Sequence, residues 1–144
     1  MAIYEISMFG EIEEYLVYPE IENCLEEFGF RFTSISGRQM RNDANGKCVL
    51  EIGMVLEDDT TMFVVDVNEK PSMEDIERQA EKLEKLREYI DREKGSRRIL
   101  GAIAGAVFTT EQRLAALNAG FFVIVQSGDT MRMDIPEGFK PREW

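Results

Sequence analysis

The 144-residue chain contains no histidine. That absence removes the commonest general base at neutral pH, the Ser–His and Cys–His nucleophile pairs, and most transition-metal sites. Basic residues are scarce. Seventeen Lys and Arg stand against 28 Asp and Glu, a formal charge of −11, and the first thirty residues hold eight glutamates and no lysine or arginine. Nucleic-acid binders draw most of their affinity from counterion release at phosphates and show a basic surface. Nonspecific DNA binding is therefore disfavoured, although a local basic patch stays open. Cysteine is limited to Cys24 and Cys48, in segments patterned as helix and strand. Free buried thiols in a cytoplasmic protein are the expected state, rather than a disulfide. Long apolar runs are missing too. The longest, Ile99 to Phe108, has strand length, whereas a membrane span needs roughly 18 residues. The N-terminal MAIYEISMFGEIEEY is acidic and lacks the basic region of a secretory or organellar signal. The expectation is a cytoplasmic protein with no membrane contact.

What is present has a globular balance, 44% apolar and 10% aromatic. A chain of this length reads as one domain, 1–144, that buries roughly 70% of its unfolded surface. Residues 10–28 carry Ile12, Tyr15, Leu16, Ile21, Leu25 and Phe28 at helical spacing, interrupted by Pro19, which either kinks the helix or starts a second one; Gly29 ends it. FRFTSIS, 30–36, alternates as a strand does. RNDANGK, 41–47, is a turn with Asn45-Gly46 at its tip. A long strand, 48–56, and a second, 62–68, flank the acidic turn EDDTT. Ser72 and Asp75 open the clearest helix with a capping box, and Ile76, Ala80, Leu83, Leu86 and Ile90 form its apolar stripe. RILGAIAGAVF is a buried strand whose small residues suggest a helix lying close against it. Thr109 and Gln112 cap a short helix to Asn118, FFVIVQ is another strand, and 130–135 is a candidate for one more. The tail 136–144, PEGFKPREW, either docks through Phe139 and Trp144 or serves a partner. The fold class is α/β, in the order α-β-β-β-α-β-α-β, with a mixed central sheet flanked by helices.

The 51–70 hairpin carries the polar residues of interest. Period-2 parity puts Glu51 and Gly53 on one side of the first strand, and Asp66 and Asn68 on one side of the next. Antiparallel pairing would then gather these positions into one polar spot.

A carboxylate-bearing hairpin before a long helix resembles the layout of the PD-(D/E)XK nuclease superfamily, the restriction-endonuclease-like fold. GEIEEYLVYPEIENCLEEFGFRF, LGAIAGAVF and GFFVIVQSGDTMRMDIPEGFKPREW make the chain similar to an uncharacterised bacterial and archaeal PD-(D/E)XK-like family. Its members often carry an N-terminal coiled coil, which has no counterpart in this sequence. The resemblance runs from about Gly10 to Trp144. It implies that an E-I-D motif falls on Glu51-Ile52-Gly53, so the metal-binding aspartate is replaced by Gly53. An E-V-K motif falls on Asp66-Val67-Asn68, so the lysine is replaced by Asn68. The first-helix glutamate falls on Glu14, a position often histidine on Gln79, and a nearby arginine position on Lys82.

Phosphodiester hydrolysis of this kind needs a divalent ion to activate water. Mg²⁺ demands oxygen ligands in near-octahedral array, and Gly53 offers no side-chain oxygen. Asn68 has no charge with which to stabilise a developing anion, and losing one such positioned group costs on the order of 10²–10³ in rate. The expectation is a nuclease-fold protein with a degenerate, inactive site, acting as a binding or regulatory module and self-associating, with no cofactor. A first alternative is a metal-dependent DNA endonuclease or exonuclease in which Glu14, Glu51 and Asp66 hold Mg²⁺ or Mn²⁺ and Lys70 stands in for the lost lysine. A second is an acidic scaffold for a protein partner. Glu51 and Asp66 also fit a structural hydrogen-bond network, Gln79 an ordinary helix position, and the basic cluster Arg92, Lys94, Arg97 and Arg98 either a phosphate contact or a solvated helix end.

Overall fold

The computed structural model of the chain describes residues 14–37, 39–42, 45–46, 48–92 and 95–144, with side chains described over the same ranges except 14–16, 39–42 and 48–51. The described residues form an α/β architecture of helix α1 (Glu14–Phe28), strands β1 (Ser34–Ser36), β2 (Gln39–Asn42), β3 (Cys48–Ile52), β4 (Met54–Glu57) and β5 (Thr61–Val67), helix α2 (Met73–Arg92), strand β6 (Arg98–Gly105), helix α3 (Thr110–Asn118), and strands β7 (Phe122–Ser127) and β8 (Thr130–Met133). A six-stranded mixed sheet runs β1-β4-β5-β6-β7-β8, and β2 and β3 form a separate hairpin. Strands β5, β6 and β7 are mutually parallel, joined by α2 and α3 as crossovers, while β1, β4 and β8 run antiparallel to their neighbours.

Helix α1 continues through Pro19 without division. Its buried Val17, Ile21, Cys24 and Leu25 form the stripe that meets the sheet. The helix ends where Gly29 takes φ 122°: Gly29 N donates to Glu26 O and Phe30 N to Leu25 O, the paired bonds of a Schellman stop. Residues 10–13, where the sequence starts this helix, lie outside the described residues. After Gly29 only Ser34–Ser36 pair as a strand, shorter than the 30–36 expected. Phe30 and Phe32 instead stack on each other at 5.6 Å, and both rings lie against Phe63. Burying those rings over the sheet holds this stretch off its edge.

The 48–56 strand is divided at Gly53. β3 pairs with β2 around Asn45-Gly46, where Gly46 takes φ 81°, and β4 pairs with β1 and β5. Strand β2 and this division give five strands before α2 among the described residues, where three were expected. The division also breaks the parity. Met54 and Leu56 pack with α1 in one core layer, whereas Ile52 packs with Val55 and α2 in the other. Ile52 and Met54, two residues apart, would share a face in an unbroken strand.

Helix α2 covers the second face. Ser72 N donates to Asp75 Oδ2 at 2.8 Å and Asp75 N to Ser72 Oγ at 3.1 Å, closing its capping box. Its buried residues are Ile76, Gln79, Leu83, Leu86 and Ile90. Gly101 of β6 permits the close approach expected from the small residues there: a Cβ at that position would sit 2.6 Å from Leu83 Cδ1. Helix α3 carries the Thr109–Gln112 box, both bonds present. Each fully buried Leu, Ile or Val of these layers contributes about 1.5–3 kcal/mol.

Candidate functional site

Asp66 and Asn68 lie at the C-terminal end of β5. By alternation from Met62 and Val64, which pack in the α2 layer, both belong to the face that meets α2. Asn68 Nδ2 donates to Asp66 Oδ2 at 2.9 Å, so the amide is bonded to the neighbouring carboxylate. Asn68 N donates to Ala104 O of β6, which fixes the strand end. Just beyond it, the turn into α2 presses on β6, for a Cβ at Gly105 would lie 2.5 Å from Pro71 Cδ.

Burial pushes the Asp66 carboxyl above its ordinary value of 3.8. The Lys82 ammonium opposes that shift, Asp75 reinforces it, and the Asn68 bond and Arg78 oppose it. The charges around Asp66 thus come from successive turns of α2. Arg78 is itself paired with Asp75 at 3.0 Å.

Gln79, between Asp75 and Lys82 on the helix, is 1% exposed. Its Nε2 donates to Val64 O of β5 at 3.2 Å, and its Oε1 is buried without a partner among the described residues. This amide is a part of the arrangement that the apolar stripe hides. Gln79 completes the spacing Ile76-Gln79-Leu83-Leu86-Ile90, alternating three and four residues, which was the available signal for its burial.

Gly53 lies opposite Asp66. A Cβ built on it would stand 2.7 Å from Val65 O and 3.9 Å from Asp66 Cα. The first of these contacts is closer than any side chain tolerates, and the obstacle is backbone. The backbone of β5 thus already fills the space that an aspartate at this position would need.

The remaining candidates are placed less closely. Glu14 begins the described part of α1, and Glu51 pairs with Met40 in the β2–β3 hairpin rather than with β5. The side chains of both lie outside the described residues, and the break at Gly53 ends the alternation that would set Glu51 on the side of Asp66. Lys70 is exposed in the loop before α2. Among the described residues no group of three or more Asp, Glu or Cys is arranged to hold a metal ion. With Gly53 closed against Val65 O, the described donors do not fit the octahedral oxygen set that Mg²⁺ requires.

The basic cluster is largely engaged within the chain. Arg97 pairs with Glu57 at 3.5 Å, Arg98 Nε donates to Thr61 Oγ1 at 2.9 Å, and Arg92 lies 5.7 Å from the Tyr89 ring centroid; Lys94 lies outside the described residues. In the α1 layer, a groove of about 410 Å³ runs between α1 and β8, lined by Glu20, Asn23, Cys24, Glu26, Glu27, Thr130 and Met131. No helix among the described residues is long and apolar enough to cross a membrane. Comparison with protein-family models, curated proteins and solved structures finds no match to this chain.

Proposed function

We propose that this is a nuclease-fold domain of the PD-(D/E)XK type whose hydrolytic centre has been retired, and that it acts as a binding or regulatory module. The observation that carries this reading is Gly53, where a Cβ would stand 2.7 Å from Val65 O. A working site needs an oxygen ligand there, and the missing atoms cannot be replaced without moving a strand. The amide of Asn68 supports the same reading: it is spent on Asp66 Oδ2 and carries no charge for a phosphate in transition. An α/β sheet with a long helix over the carboxylate-bearing strand is compatible with the fold invoked.

The test is a nuclease assay on the purified chain with single- and double-stranded DNA in Mg²⁺ or Mn²⁺. No cleavage above a metal-free control is expected. Metal-dependent cleavage that Asp66→Ala abolishes would establish the alternative, a nuclease working through Glu14, Glu51 and Asp66.

The acidic groove between α1 and β8 favours a second reading, an acidic scaffold meeting a basic partner surface. Glu20, Glu26 and Glu27 line it on a protein of net charge −11. A helix α1 carrying lysine at these three positions should lose such a partner, and retention of the partner would remove this reading.

A further inference from the structure

Beyond β8 the chain crosses back over the ends of three elements. Phe139 sets its ring edge-on to Phe122, 5.4 Å between centroids. Arg142 N donates to Gly120 O at 3.0 Å, and Trp144 N to Ile99 O at 2.9 Å. The Trp144 ring stacks on Phe121 at 5.2 Å, and the Arg142 guanidinium lies 3.8 Å from its centroid. Gly120, at φ 93°, leaves no space for a Cβ beneath Arg142. From α2, Arg87 reaches the same place: Nε donates to Trp144 O at 2.8 Å and Nη2 to Arg97 O at 2.8 Å. One guanidinium thus joins the helix, the approach to β6 and Trp144.

The hold is concentrated in few groups. Of residues 140–144, only Trp144 is buried, while Lys140, Arg142 and Glu143 are exposed. The Arg142–Glu84 and Arg98–Glu143 pairs, at 3.7 and 3.4 Å, join side chains roughly half or more exposed, where ion pairs contribute little. The Trp144 Nε1 donor is buried with no acceptor among the described residues, a cost that water would relieve on opening. The sheet beneath, by contrast, is closed by its own ladders from β1 to β8. Trp144 belongs to the α2 core layer, but it is the one buried residue of the five. So short a segment over a sheet bonded by its own ladders marks low local stability.

We infer that residues 140–144 are a latch that opens as a unit while the domain stays folded, with Arg87 as its catch. Closed, the latch ties the C-terminal half of α2 to β6 and β7. Open, it removes one tie from the helix that also carries Gln79 and Lys82, while the buried stripe of α2 keeps that helix on the sheet. The inference rests on the tail's own contacts and is independent of the reading of the nuclease site.

Trp144 is the only tryptophan in the chain, so its emission reports directly on the latch. Urea unfolding of the full chain, followed in parallel by tryptophan emission and far-ultraviolet circular dichroism, tests it. The emission should shift to the red at lower urea than the helical signal is lost, and Arg87→Gln should move the emission change lower still while leaving the helical midpoint in place. Coincident transitions in the wild-type chain would overturn the latch. An Arg87→Gln variant that moves both transitions together, or neither, would overturn Arg87 as its catch.

Discussion

A missing Cβ can be a vacancy or an exclusion, and at Gly53 it is an exclusion. Putting Asp there forces a methylene toward Val65 O, a backbone atom that moves only with β5. Gly53→Asp should therefore lower stability by about 1–3 kcal/mol in urea denaturation, and Gly53→Asp with Asn68→Lys should give no metal-dependent cleavage. Asp66 makes a prediction of opposite sign. Its folded carboxyl binds its proton more tightly than the ordinary value of 3.8 would have it. Any stability this group contributes is fully present below about 3.8 and is lost as pH rises through the raised folded value. At neutral pH the buried charge weighs against the fold. Asp66→Asn, which keeps an acceptor for Asn68, should raise Tm at pH 7, and the gain should vanish in melts below about pH 3.8; a lower Tm at pH 7 would contradict this account. Cys24 is the third such residue. Burial, with Glu27 reinforcing it, pushes its thiol up to about 11. In a Cys48→Ser background, a thiol reagent at pH 8 should react slowly with the native protein and rapidly once guanidinium unfolds it, because the thiolate is the nucleophile.

At the scale of elements, the close seat of α2 on β6 depends on Gly101. Gly101→Ala brings a methyl to 2.6 Å from Leu83 Cδ1 and under 3 Å from the Phe121 ring. A loss of about 1–3 kcal/mol in chemical denaturation is expected. What was legible in the sequence at this scale was whatever local chemistry decides. The Ser72–Asp75 and Thr109–Gln112 boxes, the Gly29 stop and the Asn45-Gly46 turn each depend on residues a few positions apart, and each is formed. The division of the 48–56 run was not legible, because at the break Gly53 packs against Val65 O, a backbone atom of another strand. Strict alternation carried across Gly53 placed Ile52 and Met54 on one face, and the fold puts them in opposite layers. The burial of Gln79 was half legible. Its spacing fits the stripe, but its reason, the Val64 carbonyl fifteen residues away, is a tertiary contact.

At the scale of the molecule, a charge of −11 opposes any polyanion. Among the described basic residues, Arg97 and Arg98 are committed to Glu57, Thr61 and Glu143. Fluorescence anisotropy with duplex DNA at physiological salt should show binding weaker than the roughly 10⁻⁴ M limit of ordinary nonspecific binders. The proposed retirement of the catalytic centre reduces to whether the space beside Asp66 accepts a divalent ion. Crystals soaked in Mn²⁺ answer that most directly, through the anomalous difference density between Glu14, Glu51 and Asp66. The account predicts no ion there, because Gly53 and the Asn68 amide leave an incomplete oxygen set. An Mn²⁺ peak at roughly 2.1 Å from carboxylate oxygens, a distance typical of a small hard divalent cation, would contradict it.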